Sequence, residues 1–263
     1  MKRNLRDLGI IVIVALVIWA GFTYFSTTTE QQDLISLKQE AEIADYFNEQ
    51  IFREFDSIDT ELTDSVMHVI LNRLAKGMDT VSYEYDIYVL RSDQVNAFTA
   101  FNGQLFVFTG LIEQTESAEE LAAVLAHELA HAENRHVIKN LVKEIGLNSL
   151  ILIISGGDPV VMQEITKLVV SSGFSRKLER EADEYAIKYL RDANINPNRL
   201  TQFFLKLKQK NKSLPSGFEW ISSHPALKER IEFVSENIGD SVEERAIELD
   251  WSSFKKSLGQ YSM

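Results

Sequence analysis

The chain contains no cysteine among its 263 residues and only five histidines. The missing cysteine excludes disulfide bonds, thiolate zinc sites and any mechanism that uses a cysteine nucleophile. A transition-metal site in this chain must therefore be built from histidine, aspartate and glutamate.

Basic residues are outnumbered by acidic ones. The formal net charge is −12, and the first seven residues contain three basic residues and one acidic residue. The remainder therefore holds 24 Lys and Arg against 38 Asp and Glu, a formal charge of −14. A domain with this charge is repelled by phosphates and anionic lipid, so nucleic-acid binding is not expected.

Charge is absent from residues 8–25, an apolar stretch that ends in a cluster of aromatic residues. As a helix, this stretch is just long enough to span the roughly 30 Å apolar core of a bilayer. The basic residues before it predict that residues 1–7 stay in the cytoplasm and that the rest lies outside, which is the periplasm if the cell is Gram-negative. We predict an uncleaved anchor in the lipid bilayer; a cleaved signal peptide, which would release a secreted protein, is the alternative.

The segment after this stretch has helical periodicity. Residues 26–57 carry an apolar stripe and are predicted to form either a stalk or the first helix of the domain. A second helix, capped by Asp59 or Thr60, is predicted to end at Gly77. Residues 81–89 then alternate between apolar and more polar side chains, which predicts a β-strand.

A β-hairpin is predicted around Asn102 and Gly103, which separate two alternating runs, residues 96–101 and 104–109. Asn-Gly between such runs is a strong hairpin signal because both residues accept positive φ angles. With the preceding strand, the hairpin predicts a small antiparallel sheet beside the helices. The residues predicted to form an edge strand that holds an extended peptide by main-chain hydrogen bonds are Asn96, Ala97 and Phe98.

The most informative stretch is residues 117–136, where apolar residues recur at helical spacing after a predicted N-cap, Ser117. His127 and His131 are four residues apart, so on a helix both imidazoles leave the same face one turn apart. Two histidines in this arrangement can bind one zinc ion. Glu128 beside them is placed to take a proton from water that attacks a carbonyl group.

A surface helix with two solvated histidines is the alternative interpretation of this stretch. The helix is unusually rich in alanine and other apolar residues, which predicts that it is buried. Two buried histidines without partners would be costly, so we favour the metal site.

A two-histidine zinc site needs a third protein ligand, and residues 174–186, which are predicted to form a helix, contain candidates for it. Glu179 and Asp183 are four residues apart and share a face, whereas Glu181 points nearly opposite. A glutamate ligand, with an aspartate one turn away that orients a ligating histidine, is a chemically sensible pair. A charged face with exposed ion pairs has the same spacing, so spacing alone leaves this question open.

The chain between these two helices is strongly apolar. Residues 145–157 carry no charge but are too short to predict a membrane span. A break at residues 156–159 precedes a second apolar run, residues 160–170. We predict a buried helical hairpin, with a lid or a membrane-facing surface as the alternative.

Five motifs follow one another along the chain: Asn96–Phe98, Phe106–Leu111, His127–His131 followed by Arg135 and His136, Ser175–Asp183, and Ser223–Pro225 followed by Arg230. In this order they resemble the motifs of the gluzincin peptidases of family M48. The resemblance covers roughly residues 60 to 235 and is far more specific than His-Glu-x-x-His alone.

The resemblance implies one zinc per chain, bound by His127, His131 and Glu179. It implies that Glu128 is the general base and that Asp183 orients a ligating histidine. It also implies protein or peptide substrates, in particular damaged or misassembled envelope proteins.

The roles of the remaining polar residues stay open at this point. His224 matches a histidine that holds some family members latent, but His224 or Arg230 is alternatively an oxyanion stabiliser, or His224 is a loop residue packed beside Pro225. His68 is predicted to be structural, and His136 to support the site or cap the helix.

We therefore predict a mainly α-helical α+β protein with a zincin-type metallopeptidase domain at residues 58–238. A docked tail at residues 239–263 and one N-terminal transmembrane helix complete the predicted chain. A chaperone or scaffold with a latent zinc site is the alternative function, and the sequence leaves the oligomeric state open.

Overall fold

The computed structural model describes residues 35–156, 159–171, 173–210, 219–239 and 242–261. The predicted cytoplasmic segment and membrane anchor, within residues 1–25, lie outside these ranges. Among the helices that are described, none is both long enough and apolar enough to cross a bilayer.

Helices dominate the described residues, which confirms the predicted mainly α-helical α+β class. In chain order the elements are α1 (Leu37–Glu54), α2 (Glu61–Ala75), β1 (Asp86–Leu90), β2 (Ala97–Thr99), β3 (Gln104–Phe108), α3 (Thr109–Gln114), α4 (Ala118–Glu133), α5 (His136–Ile145), α6 (Leu147–Gly156), α7 (Pro159–Ser171), α8 (Arg176–Asp192), α9 (Asn198–Lys210), α10 (Glu219–Ser223), α11 (Leu227–Asn237) and α12 (Trp251–Leu258), followed by a 3-10 turn (Gly259–Tyr261).

The hairpin forms as predicted. Strands β2 and β3 pair antiparallel, with Ala97 opposite Val107. The turn residues Asn102 and Gly103 have φ angles of 53° and 76°, the left-handed values that a tight hairpin turn requires.

The prediction of a wholly antiparallel sheet was wrong. The strand order is β1-β3-β2, and β1 runs parallel to β3. The loop between β1 and β2 carries the chain past β3, so β2 lies on the far side of the sheet. Alternating side chains predict a strand but contain no information about which strand it pairs with or in which direction.

The first predicted strand is also shorter than expected, because β1 begins only at Asp86. Tyr83 lies before it and donates its hydroxyl hydrogen to Glu40, while the Tyr85 hydroxyl donates to Glu133. The hydroxyl groups of both tyrosines therefore bond to carboxylates of α1 and α4, and neither residue is part of the sheet.

Helix α1 packs on the sheet. Phe47 is fully buried, and its ring makes edge-on contacts with Phe98, Phe101 and Phe106 at centroid distances of 6.4, 5.6 and 5.6 Å. Of the two predictions for this segment, this packing favours the first helix of the domain over a stalk.

Helix α4 lies in the middle of the fold. Every residue from Ala118 to Ala132 is buried, and the small side chains of Ala182 and Ala186 allow α8 to lie close beside it. The helix ends earlier than the predicted residue 136. Arg135 adopts a left-handed conformation with φ 51°, and His136 begins a new helix.

Both arms of the predicted apolar hairpin are helical, but among the side chains that the structure describes there, buried and exposed ones alternate at helical spacing. Leu150, Met162 and Ile165 are buried in the same apolar cluster as Phe47 of α1. Val160 on the outer side is 69% exposed. Helical periodicity within an apolar run identifies the helices but not which face has a partner.

The C-terminal tail packs on the domain. Trp251, Phe254 and Leu258 are buried in the main core, and Lys255 donates a hydrogen bond of 2.8 Å to the carbonyl oxygen of Thr115. Residue 115 immediately precedes the N-cap region of α4, so the tail supports the start of the central helix.

A buried carboxylate, that of Glu40, connects α1 to two distant parts of the chain. It accepts hydrogen bonds from Arg135 Nη2 at 2.7 Å and from the backbone N–H of Asn102 at 3.0 Å. Glu40 is 3% exposed, so both contacts are shielded from water. One carboxylate thus ties α1 to the hairpin turn and to the junction between α4 and α5.

We expect Glu40→Gln to lower the free energy of unfolding by about 3 kcal/mol, because it removes the negative charge that faces the largely buried Arg135 guanidinium. The measurement is equilibrium unfolding in urea. The matched control is Glu49→Gln, whose partner Arg53 lies 3.7 Å away on the exposed surface of the same helix. That control is expected to change stability by less than about 0.5 kcal/mol, and equal effects of the two variants would contradict the prediction.

Candidate metal centre

The two histidines of α4 converge as their spacing predicts. Ser117 Oγ caps the helix by accepting the backbone N–H of Glu120 at 3.3 Å. Three turns further on, the Nε2 atoms of His127 and His131 lie 3.0 Å apart, and both side chains are fully buried. Their Nδ1 atoms face other partners, so the two Nε2 atoms meet at one point.

Helix α8 brings a carboxylate to the same point. Glu179 Oε1 lies 3.5 Å from His131 Nε2, and Glu179 Oε2 lies 3.6 Å from His127 Nε2. His224, directly after α10, places its Nδ1 3.0 Å from Glu179 Oε1 and 3.3 Å from His127 Nε2. One donor atom from each of the four side chains lies within 4.8 Å of all the others.

These donors fit a zinc ion. Bonds of 2.0–2.1 Å in a tetrahedral arrangement separate two donor atoms by about 3.3 Å, close to the spacings found here. Two buried carboxylate oxygens of this cluster, Glu128 Oε1 and Glu179 Oε2, have no hydrogen-bond partner in the described part of the chain. Because a buried carboxylate oxygen without a hydrogen-bond donor is costly, a cation bound at this point would stabilise both.

Glu128 is fixed beside the cluster by the edge of the sheet. Its Oε2 accepts the backbone N–H of Thr99 in β2 at 3.1 Å, and its Oε1 lies 3.4 Å from His224 Nε2. Burial raises the pKa of Glu128 above the usual range for a carboxyl. A carboxylate of raised pKa is better suited to take up a proton and to give it back.

Asp183 holds the outer side of His127. Asp183 Oδ1 lies 3.1 Å from His127 Nδ1, and Arg230 donates to both carboxylate oxygens at 2.8 and 2.6 Å. Burial alone would raise the pKa of Asp183, but the Arg230 guanidinium outweighs it and lowers the pKa. The charged carboxylate favours a hydrogen on Nδ1 of His127, which leaves Nε2 free to bind a metal.

Arg230 lies behind the donor atoms. Its Nη1 is 2.6 Å from Glu179 Oε2, although the two atoms are not aligned for a hydrogen bond. Burial tends to raise the pKa of Glu179, but Arg230, with help from His224, holds it well below its usual range. Both carboxylates that face Arg230 are therefore ionised, the state in which a carboxylate can bind a metal ion.

The outer side of His131 meets a second histidine. His131 Nδ1 lies 2.9 Å from His136 Nδ1, and the ring of Phe174 stacks on His131 at a centroid distance of 4.1 Å. Burial lowers the pKa of His131 well below its usual range, and it lowers that of His136 to about 3. Both rings are therefore neutral, the state in which imidazole binds a metal.

Residues 61–238, well over half of the chain, match the model of peptidase family M48. The chain belongs to this family. Its members are zinc metallopeptidases, which confirms the resemblance seen in the motifs and the choice of zinc as the cofactor.

Several curated relatives are similar over most of this chain. The beta-barrel assembly-enhancing protease of Yersinia pestis is 24% identical over 204 residues, which cover 73% of this chain and 42% of that protein. The mitochondrial metalloendopeptidase OMA1 of Schizosaccharomyces pombe is 24% identical over 250 residues, 89% of this chain and 74% of that one. The metalloprotease LoiP of Escherichia coli K12 is 28% identical over 176 residues, 64% and 68% of the two chains. The chain therefore spans less than half the length of the Yersinia relative.

The residues of the predicted edge strand and His68 lie outside the four-donor cluster. Asn96, Ala97 and Phe98 are buried at and just before β2, the strand whose Thr99 holds Glu128. His68 is on α2, where its Nδ1 contacts the carbonyl oxygen of Asp64 at 2.8 Å. Its exposed position places it outside the four-donor cluster.

Two aromatic residues of the site were not predicted. Trp220 is fully buried and stacks on His224 at a centroid distance of 4.4 Å, and Phe174 stacks on His131. The backbone also joins their segments, because the N–H of Phe174 donates to the carbonyl oxygen of Ser223 at 3.2 Å. Phe174 lies just before the motif Ser175–Asp183, and Trp220 lies just before Ser223–Pro225. The sequence does not distinguish an aromatic residue at these positions from an ordinary core residue.

We expect His131→Ala to remove bound zinc, because it deletes one of the three expected zinc ligands. His68→Ala is the matched control, since it deletes an exposed histidine outside the cluster. Inductively coupled plasma mass spectrometry of the purified full chain is expected to give one zinc per chain for wild type and for His68→Ala. A stoichiometric zinc content in His131→Ala would contradict the proposed ligand set.

Proposed function

We propose that this protein is a zinc-dependent endopeptidase in which Glu128 is the general base. The position of Glu128 supports this role most directly. One of its oxygens is held by the edge strand, while the other faces the donor cluster with no hydrogen-bond partner among the described residues. Membership of a zinc metallopeptidase family supports the reaction class.

The chemistry divides between the metal and the protein. Zinc held by His127, His131 and Glu179 would supply a Lewis acid that polarises water and the peptide carbonyl group. Glu128 takes the proton of the attacking water at Oε1 and delivers it to the leaving amine. The Thr99 N–H keeps Oε2 in place, so that the carboxylate presents the same oxygen in both transfers.

Substrate is proposed to lie along β2. This strand is at one edge of the sheet, and an extended peptide can add to such an edge through main-chain hydrogen bonds. The peptide carbonyl would then lie next to Glu128, because Thr99 of the same strand contacts that carboxylate.

We propose that His224 keeps this arrangement latent. Its ring lies against both Glu179 and Glu128, and Glu128 itself is fully buried. A substrate cannot reach Glu128 while His224 fills this space, so His224 has to move before catalysis. The same closure supports the second candidate, a zinc-stabilised chaperone or scaffold that binds clients and cleaves little.

The setting of the activity is proposed from the resemblance and from the names of relatives. A relative named as an enhancer of beta-barrel assembly supports a role in quality control of envelope proteins. Residues 8–25 are proposed to anchor the domain on the outer side of the membrane.

Glu128→Gln is expected to lower the rate of casein cleavage by 10²–10⁴-fold, about the contribution of a general base, while bound zinc stays at one per chain. Glu61→Gln, an exposed carboxylate in the first turn of α2, is the control and is expected to cleave like wild type. Unchanged cleavage in Glu128→Gln would exclude Glu128 as the base.

His224→Ala is expected to raise the rate of casein cleavage, because it removes the side chain that closes the site. The readout is the initial rate at matched zinc content. A lower rate would instead assign His224 to oxyanion stabilisation. Bound zinc without cleavage in both wild type and His224→Ala would favour the chaperone or scaffold.

A further inference from the structure

The two histidines of α4 are oriented by different kinds of group. His127 Nδ1 faces the charged carboxylate of Asp183 at 3.1 Å, whereas His131 Nδ1 faces the imidazole of His136 at 2.9 Å. A carboxylate only accepts hydrogen bonds, but a neutral imidazole has one donor and one acceptor nitrogen. The direction of the hydrogen bond between His131 and His136 therefore depends on which nitrogen of each ring carries the hydrogen.

Zinc binding at Nε2 of His131 would fix those positions. The Nε2 atom of His131 points to the donor cluster, so its Nδ1 must carry the ring hydrogen if Nε2 binds zinc. His136 Nδ1 then has to be the acceptor of that hydrogen. A neutral ring that accepts at Nδ1 carries its own hydrogen on Nε2.

The surroundings of His136 Nε2 fit this tautomer. The atom is buried and has no hydrogen-bond partner in the part of the chain that the structure describes. The Glu181 carboxylate lies 3.5 Å away, longer than a normal hydrogen bond but close enough to stabilise a hydrogen that points towards it. Glu181 is 34% exposed, so the series from His131 through His136 ends at the protein surface.

We propose that His136 is a positioning residue for the zinc ligand His131, and that Glu181 selects the tautomer in which His136 can do so. This inference rests on the proposed zinc ligands and goes beyond the proposed reaction. It also gives Glu181, which lies outside the donor cluster, a role that is distinct from ligation.

A break in the helix makes the contact possible. On a continuous helix, His136 would be rotated by about 140° from His131, because five residues turn through about 500°. Arg135, with its left-handed φ of 51°, ends α4 and lets His136 turn back towards the site. The same Arg135 is held by Glu40, so α1 supports the position of His136.

Zinc affinity of the full chain tests the proposal by chelator competition. His136→Leu removes the acceptor and is expected to weaken zinc binding by 10–100-fold, the usual effect of losing such a partner. His136→Asn keeps an acceptor oxygen near the position of Nδ1 and is expected to bind within about threefold of wild type. Wild-type affinity in a folded His136→Leu protein would overturn the proposal.

The same assay separates a role of Glu181 from a general effect of charge. Glu181→Leu is expected to weaken zinc binding more than Glu184→Gln, which changes an exposed carboxylate on the same helix. Equal affinities of these two variants would overturn the role of Glu181. Thermal unfolding of the zinc-free proteins identifies any variant that has lost its fold.

A direct measurement needs no substitution at His136. Nitrogen-15 NMR of histidine-labelled, zinc-loaded Glu128→Gln protein reports which ring nitrogen carries hydrogen. We expect Nδ1–H for His131 and Nε2–H for His136. Hydrogen on Nδ1 of His136, with metal-bound signals intact for His127 and His131, would overturn this proposal alone. Absence of metal-bound signals from both ligands would overturn the zinc site on which it rests.

Discussion

The close packing of α4 against α8 is the constraint on which the site depends. It buries the carboxylates of Glu128, Glu179 and Asp183 beside two histidines, where water cannot solvate them. Three buried carboxylates are tolerated only with compensating charge. Arg230 supplies part of it through Asp183 and Glu179, and a zinc ion at the point that Glu128 Oε1 faces would supply the rest.

The same packing explains why the site has several layers. An imidazole that binds a metal has to be held from its far side, and the Nδ1 atoms of His127 and His131 face different partners that could do so, Asp183 and His136. His136 reaches its place only because Arg135 interrupts the helix, and the buried Glu40 secures Arg135. Helix α1 lies outside residues 61–238, the region that matches the family. Through the contact of Glu40 with Arg135 it nevertheless supports the position of His136.

Local signals were the reliable part of the sequence. Asn102 and Gly103 specified the hairpin because few residue pairs accept two positive φ angles. Ser117 caps its helix as predicted, and Thr60 is the cap of α2, for which the sequence had left Asp59 or Thr60 open; a cap depends on neighbours three residues away. The parallel pairing of β1 with β3 was missed because it joins strands whose partners are chosen by packing between distant segments.

The sequence by itself predicted that His127, His131 and Glu128 come together and that a metal site would lack thiolate ligands, because helical spacing brings these residues to one place and the chain has no cysteine. The ordered motifs also identified the family, whose model matches residues 61–238. Only the tertiary structure decided that His224, with Trp220 stacked on it, lies against Glu128, that Arg230 pairs with Asp183, and that α1, predicted as part of either a stalk or a first helix, packs on the sheet. These contacts join residues far apart in the chain, and no local pattern encodes which of many polar or aromatic side chains will meet once the core has formed.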